Sequence, residues 1–159
     1  MKRWMGICLL ALLLCGCQAE ETMETVHDEW MVPVMAKPRE ISVRLPQDTV
    51  VPVLEQDDRR LYMGHGYDIM VETLASGDLN ASIRTISGYE KDQLTVMETR
   101  QADTDRYDFV WTTAGEQGDR LGRAVILDDG AYHYCMSALW DAGDTVVIWR
   151  DVFESFSLI

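Results

Sequence analysis

From residue 40 onward the chain alternates short apolar runs with polar turns, and the period of the alternation changes along it. Ile41-Ser42-Val43-Arg44-Leu45 has the period of a half-buried strand, closed by Pro46. A second apolar run covers residues 50–54, where Pro52 predicts an edge position because proline brings no N–H to a ladder. Leu61-Tyr62-Met63 and Tyr67-Asp68-Ile69-Met70-Val71-Glu72-Thr73-Leu74 flank Gly64-His65-Gly66, the pattern of two strands joined by a glycine turn. After Gly77 the period lengthens: Asp78 can cap a helix with Leu79, Ile83 and Ile86 on one side, and Gly88 ends it. Strand candidates follow at residues 94–100, 106–113, 121–128 and 131–139. Tyr107, Phe109 and Trp111 share one face of the second, and Tyr132, Tyr134 and Met136 share one face of the last. The connections at 101–105 and 128–130 are short and turn-rich, so antiparallel neighbours and a meander are expected. The chain then returns to helical spacing, with Asp144 as cap. Val146, Trp149, Val152, Phe153 and Phe156 form an apolar stripe opposite Arg150, Asp151 and Glu154. These elements predict an α+β domain: an antiparallel β-sheet meander packed by a short middle helix and a C-terminal amphipathic helix.

The first 17 residues follow another logic. Lys2 and Arg3 precede an apolar run from Trp4 to Leu14, which is too short for a span of about 20 residues and has the build of a secretory signal. The run ends Leu14-Cys15-Gly16-Cys17, which resembles the bacterial lipobox: a branched apolar residue three places before the cysteine and a small residue just before it. Cys17 fits this pattern, whereas Cys15 lacks the small residue. The resemblance implies cleavage after Gly16, acylation of Cys17 and a new N-terminus there. It makes the mature chain a membrane-anchored, extracytoplasmic lipoprotein, held by acyl chains that each contribute about 0.8 kcal/mol per buried methylene. Gln18 is not the acidic residue that would mark an inner-membrane destination. The organisation expected is a signal peptide at 1–16, a lipidated N-terminus and acidic tether at 17–39, and one globular domain at 40–159.

Processing changes the cysteine count and the charge. Cys8 and Cys15 leave with the signal and Cys17 is acylated, so only Cys135 remains and no disulfide can form within the chain. Cys135 lies in an alternating apolar segment and reads as a small buried hydrophobe rather than a reactive thiol. Of 14 basic and 27 acidic residues, removal of Lys2 and Arg3 leaves 12 against 27, a net charge of −15. A body so acidic excludes nucleic acid as a partner and is repelled by anionic lipid surfaces, so the anchoring falls to the lipid.

In the tether, Met23, His27, Met31 and Met35 recur every fourth residue. On a helix they would form a thioether and imidazole stripe suited to Cu(I), although Pro33 would break that helix before its last member. The alternative is an amphipathic segment, with Val26 and Trp30 beside it, docking on the body. Elsewhere catalytic signals are sparse. There is no G-x-S-x-G, H-E-x-x-H or C-x-x-C, and His27, His65 and His133 lack metal spacing. His65 reads as an exposed turn residue rather than a ligand or base. His133 lies on the opposite strand face from Tyr132 and Tyr134. Asp128-Asp129 reads as a turn rather than an acid–base pair, and Asn80-Ala81-Ser82 as a chance glycosylation match. A hydrolase without a readable motif stays open as an alternative, since catalytic carboxylates leave no signature.

The helix ending Ile86-Ser87-Gly88-Tyr89, the strand Tyr107-Asp108-Phe109-Val110-Trp111 and the closing helix Val152-Phe153-Glu154-Ser155-Phe156 together resemble the PsbP-like superfamily, which includes the bacterial DcrB-like lipoproteins. The likeness covers roughly residues 40–159. It implies an α/β/α sandwich and an accessory or binding role, toward another envelope protein or a small ligand, with no catalytic set or cofactor to carry over. The 50–54 run with its proline and a loop at 114–120 depart from that pattern.

Overall fold

The computed structural model describes residues 36–49, 51–116, 118–142 and 147–159, without the side chains of 147 and 148. Cys17, the tether with Met23, His27, Met31 and Met35, and Asp144 and Val146 lie outside the described residues. Residues Met35–Ile159 form one compact unit. In chain order the elements are β1 (Ile41–Ser42), β2 (Leu54–Glu55), β3 (Arg59–Gly64), β4 (Tyr67–Ala75), α1 (Leu79–Ser87), a 3-10 turn (Lys91–Gln93), β5 (Val96–Gln101), β6 (Thr104–Gly115), β7 (Gly118–Asp128), β8 (Tyr132–Asp141), α2 (Val147–Ser155) and β9 (Ser157–Leu158).

Seven strands form one antiparallel sheet in the order β2-β3-β4-β8-β7-β6-β5, and β1 pairs with β9 in a separate two-stranded ladder. The sheet is two meanders closed on each other. The chain builds β2-β3-β4, crosses to the far edge through α1, and returns from β5 to β8, which seals against β4 over the register Tyr67↔Trp140 to Ala75↔Tyr132. Because successive strand residues face opposite sides, each face collects its own core. On one face Ile69, Val71, Val125, Leu127, Tyr134 and Met136 pack under Trp149, Val152, Phe153 and Phe156 of the closing segment, with Ile41 and Leu158 of the small ladder beside them. On the other, Tyr107, Phe109, Trp111, Ala124, Ile126 and Cys135 pack under Ile83 of α1.

The expected α+β class, a PsbP-like α/β/α sandwich, is corrected by this architecture. Strand accounts for 52% of the structure and helix for 16%, which makes the fold mainly β. The reason is a mismatch of lengths. Each helix has nine residues, about 13 Å of axis, whereas β6, β7 and β8 have 12, 11 and 10 residues and extend about 35 Å. Neither helix spans a sheet face. Part of the added strand length comes from residues 114–120, expected as a loop: β6 and β7 run on until Gly115 pairs with Gly118. Among the described residues of the 50–54 run only Leu54 enters a strand, and Val51 and Val53 stay exposed.

Candidate functional site

Because α1 is short, it covers the Tyr107–Ile126 half of its sheet face and leaves the β3-β4-β8 half uncovered. The result is a groove of about 370 Å³ between α1, which contributes Thr85 and Ile86, and the outer strand β3. Its floor follows from register. Leu61 pairs with Met70, and Met70 with Ser137, giving one cross-strand row; Met63, Asp68 and Leu139 form the next. Met63 is 55% exposed.

Ion pairs mark the two ends. At one, Arg59 Nη2 lies 3.7 Å from Glu72 Oε2. At the other, Arg120 donates from Nη1 to Asp68 Oδ2 at 2.9 Å and from Nη2 to the Leu139 carbonyl at 3.0 Å, with Asp141 3.5 Å from its Nε. Asp68 and Glu72 are four residues apart on one strand, so the ends are separated by about 13 Å. Burial pushes the Glu72 carboxyl above its usual range, Arg59 partly offsets that, and Asp58 adds to it. Arg59 and Arg120 each keep an Nε–H that meets no protein acceptor among the described residues. An apolar floor with donors and acceptors fixed at both ends suits an extended ligand of mixed polarity.

The residues singled out in the sequence fall elsewhere. His65 is exposed in the β3–β4 turn. Asn80 is tied into the end of α1, accepting from the Lys91 amide at 2.7 Å and donating to Glu90 at 2.6 Å. Asp129 accepts from the amides of Ala131 and Tyr132 and from the Tyr134 hydroxyl; burial works against its charge, but those bonds hold its carboxyl below the usual range. Cys135 is buried beside Glu72 and its thiol is pushed far above the usual range, chiefly by burial, so it is no nucleophile.

One constellation was missed. Ser82 Oγ on α1 lies 2.8 Å from Nδ1 of the fully buried His133, whose Nε2 is 3.3 Å from Asp128 Oδ2. The residue types are those of an acyl-transfer triad, but the service they perform here is structural. Ser82 is 7% exposed and lines no part of the groove, so a substrate carbonyl has no approach to its hydroxyl. Nε2 also lacks hydrogen-bond geometry toward Asp128. The trio ties α1 to β8. A signal for it existed: Ser82 falls on the stripe of Leu79, Ile83 and Ile86, and a polar residue on an apolar stripe needs a buried partner.

No family model matches the chain, and no curated protein does. Among solved structures, a crystal structure of a protein from Bacteroides thetaiotaomicron VPI-5482, at 1.50 Å resolution, is similar with a TM-score of 0.52 and 12% identity over 75% of this chain. This chain spans 45% of that protein's length, and the likeness extends to the fold alone.

Proposed function

We propose that this protein is a lipid-anchored, extracytoplasmic envelope protein with a non-catalytic binding or accessory role, and that the groove floored by Leu61, Met70 and Leu139 is its binding face. The observation that carries the address is Leu14-Cys15-Gly16-Cys17 at the end of a short apolar run behind Lys2 and Arg3. Among the described residues no helix is long and apolar enough to cross a membrane, so in this reading the acyl chains on Cys17 hold the protein to the bilayer. The binding role is supported by a sheet face that the fold leaves half uncovered, and by a buried serine and a buried thiol that are both closed to substrate.

The test is the intact mass of the protein recovered from the membrane fraction of its native host, beside a Cys17→Ala variant. A mass beginning at Cys17 plus acyl chains, with the variant shed or unprocessed, supports the reading. An unmodified chain in the soluble fraction overturns it. A photo-crosslinker at exposed Met63 then reports on the groove: capture of one protein or ligand that is lost on Met70→Lys supports its use, and unchanged capture refutes it.

A further inference from the structure

The two edges of the seven-stranded sheet are built differently. On one side β2 has only two residues and Pro52 precedes it, which blunts that edge. On the other, β5 runs for six residues, Val96-Met97-Glu98-Thr99-Arg100-Gln101, with no proline or glycine, and everything after Val96 is exposed.

Which backbone groups of β5 face outward follows from its hairpin. Gln101 pairs with Thr104 across the two-residue turn Ala102-Asp103, so Gln101, Thr99 and Met97 exchange hydrogen bonds with β6. Val96, Glu98 and Arg100 then direct their N–H and C=O groups away from the sheet. Thr112 fixes the same phase independently. It lies on β6 beyond the end of β5, an even number of residues from Thr104, and its carbonyl accepts the Tyr89 hydroxyl at 2.9 Å on the side where β5 would have continued. Where β5 stops, a side chain caps the edge. Along β5 itself the outward groups meet no backbone partner among the described residues.

We propose that β5 pairs antiparallel with β5 of a second copy of this chain, joining two sheets into one. Charge selects this occupant. Pairing centred on Thr99 sets Glu98 of each copy opposite Arg100 of the other, on the same face, and sets Met97 opposite Gln101. Both Glu98 and Arg100 carry outward backbone groups, so the register that matches the charges also matches the hydrogen bonds. Opposite charges across such a pair stabilise it, and like charges would repel. Within each copy Arg100 donates to Asp105 of the neighbouring β6 at 2.6 Å, and Glu98 of the second copy would add a carboxylate on its other side. The two-fold axis stands perpendicular to the sheet, so the face bearing β1 and β9 is the same in both copies. The start of the body in each copy therefore lies on one side of the joined sheet.

The test uses the full chain in membranes. With Thr99→Cys, mild oxidation is expected to give a disulfide-linked homodimer, because opposed residues of a non-hydrogen-bonded pair sit about 4.5 Å apart at Cα. With Met97→Cys the two thiols lie about 13 Å apart along the strands, beyond the roughly 7 Å a disulfide spans, and no dimer is expected. In detergent, sedimentation should show Glu98→Arg weakening self-association on the order of tenfold, Arg100→Glu doing the same, and the double variant restoring it. A monomer throughout, equal crosslinking at 97 and 99, a Thr99→Cys adduct with a different protein, or a double variant no better than the singles would each overturn the proposal.

Discussion

Ser82→Ala is the sharpest probe of what the buried trio does. The substitution removes the hydroxyl 2.8 Å from His133 Nδ1, in a ring that is 0% exposed. Since Nε2 meets Asp128 at 3.3 Å without hydrogen-bond geometry, the ring is left with no good partner among the described residues. A buried polar group deprived of its partner costs about 1–3 kcal/mol. Truncation of both partners behaves differently, because no orphan remains. Ser82→Ala with His133→Leu keeps the volume roughly constant and should recover most of the loss, to within about 1 kcal/mol of the parent. Asp128 tolerates the exchange because it still accepts from the Ser76 hydroxyl at 3.2 Å and the Gly130 amide at 2.8 Å. Urea unfolding followed by tryptophan fluorescence reads the effect directly, since Trp111, Trp140 and Trp149 are all buried in the two cores. A Ser82→Ala midpoint equal to the parent's, or a double variant no more stable than the single one, would refute the structural assignment of the trio.

Two further substitutions test the packing and the electrostatics of the same face. A Cβ on Gly122 would come within 2.2 Å of the Trp111 ring, so Gly122→Ala should cost about 1–3 kcal/mol as the indole is driven off its seat; an unchanged melting temperature would show that the ring is not held there. Glu72 carries a carboxyl raised above 4.5 by burial, so its protonated form favours folding and that contribution is lost as pH rises through the folded value. Glu72→Gln should therefore gain stability relative to the parent between about pH 4 and pH 7, and a difference between the two urea midpoints that does not change with pH would contradict the burial argument.

Local chemistry was legible in the sequence to the residue. The helix opens at Asp78 because its carboxylate accepts the Asn80 amide at 2.9 Å, and closes at Gly88 because that residue sits at φ 81°, where a side chain is strained. The glycine turn between β3 and β4, the antiparallel run from β5 to β8 and the buried stripe of the closing helix were legible for the same reason: turn residues and periodicity act within a few positions. Strand ends were not. Ala114-Gly115-Glu116 shows no alternation, so nothing in it reports that β6 continues; the ladder to Gly118 and the packing of the Arg120 side chain on Gly115 carry it. Likewise β9 has two residues and forms only because Ile41 and Ser42 lie alongside to pair with it.

The groove was illegible for a deeper reason, and the same reason overturned the expected class. Its floor unites Leu61, Met70 and Leu139 from β3, β4 and β8, and the pairing of β4 with β8 joins residues as distant in sequence as Tyr67 and Trp140, which no periodicity reports. Each of these strands alone predicts only a half-buried face. What decides whether that face is core or surface is the reach of the cover. Nine residues of α1 bury Ile83 against Tyr107 and Phe109 and end before reaching β3. Had the helix been two turns longer, Met70 and Leu61 would be core, and the ion pairs of Arg59 with Glu72 and Arg120 with Asp68 would carry a desolvation penalty that their geometry does not repay. Glu72 is already buried, and its pairing with Arg59 and that of Asp68 with Arg120 stand at the two ends of the face that α1 leaves uncovered. The shortness of α1 and the charges around the groove are consistent with each other, and both fit the proposed reading of this half-sheet as a binding face.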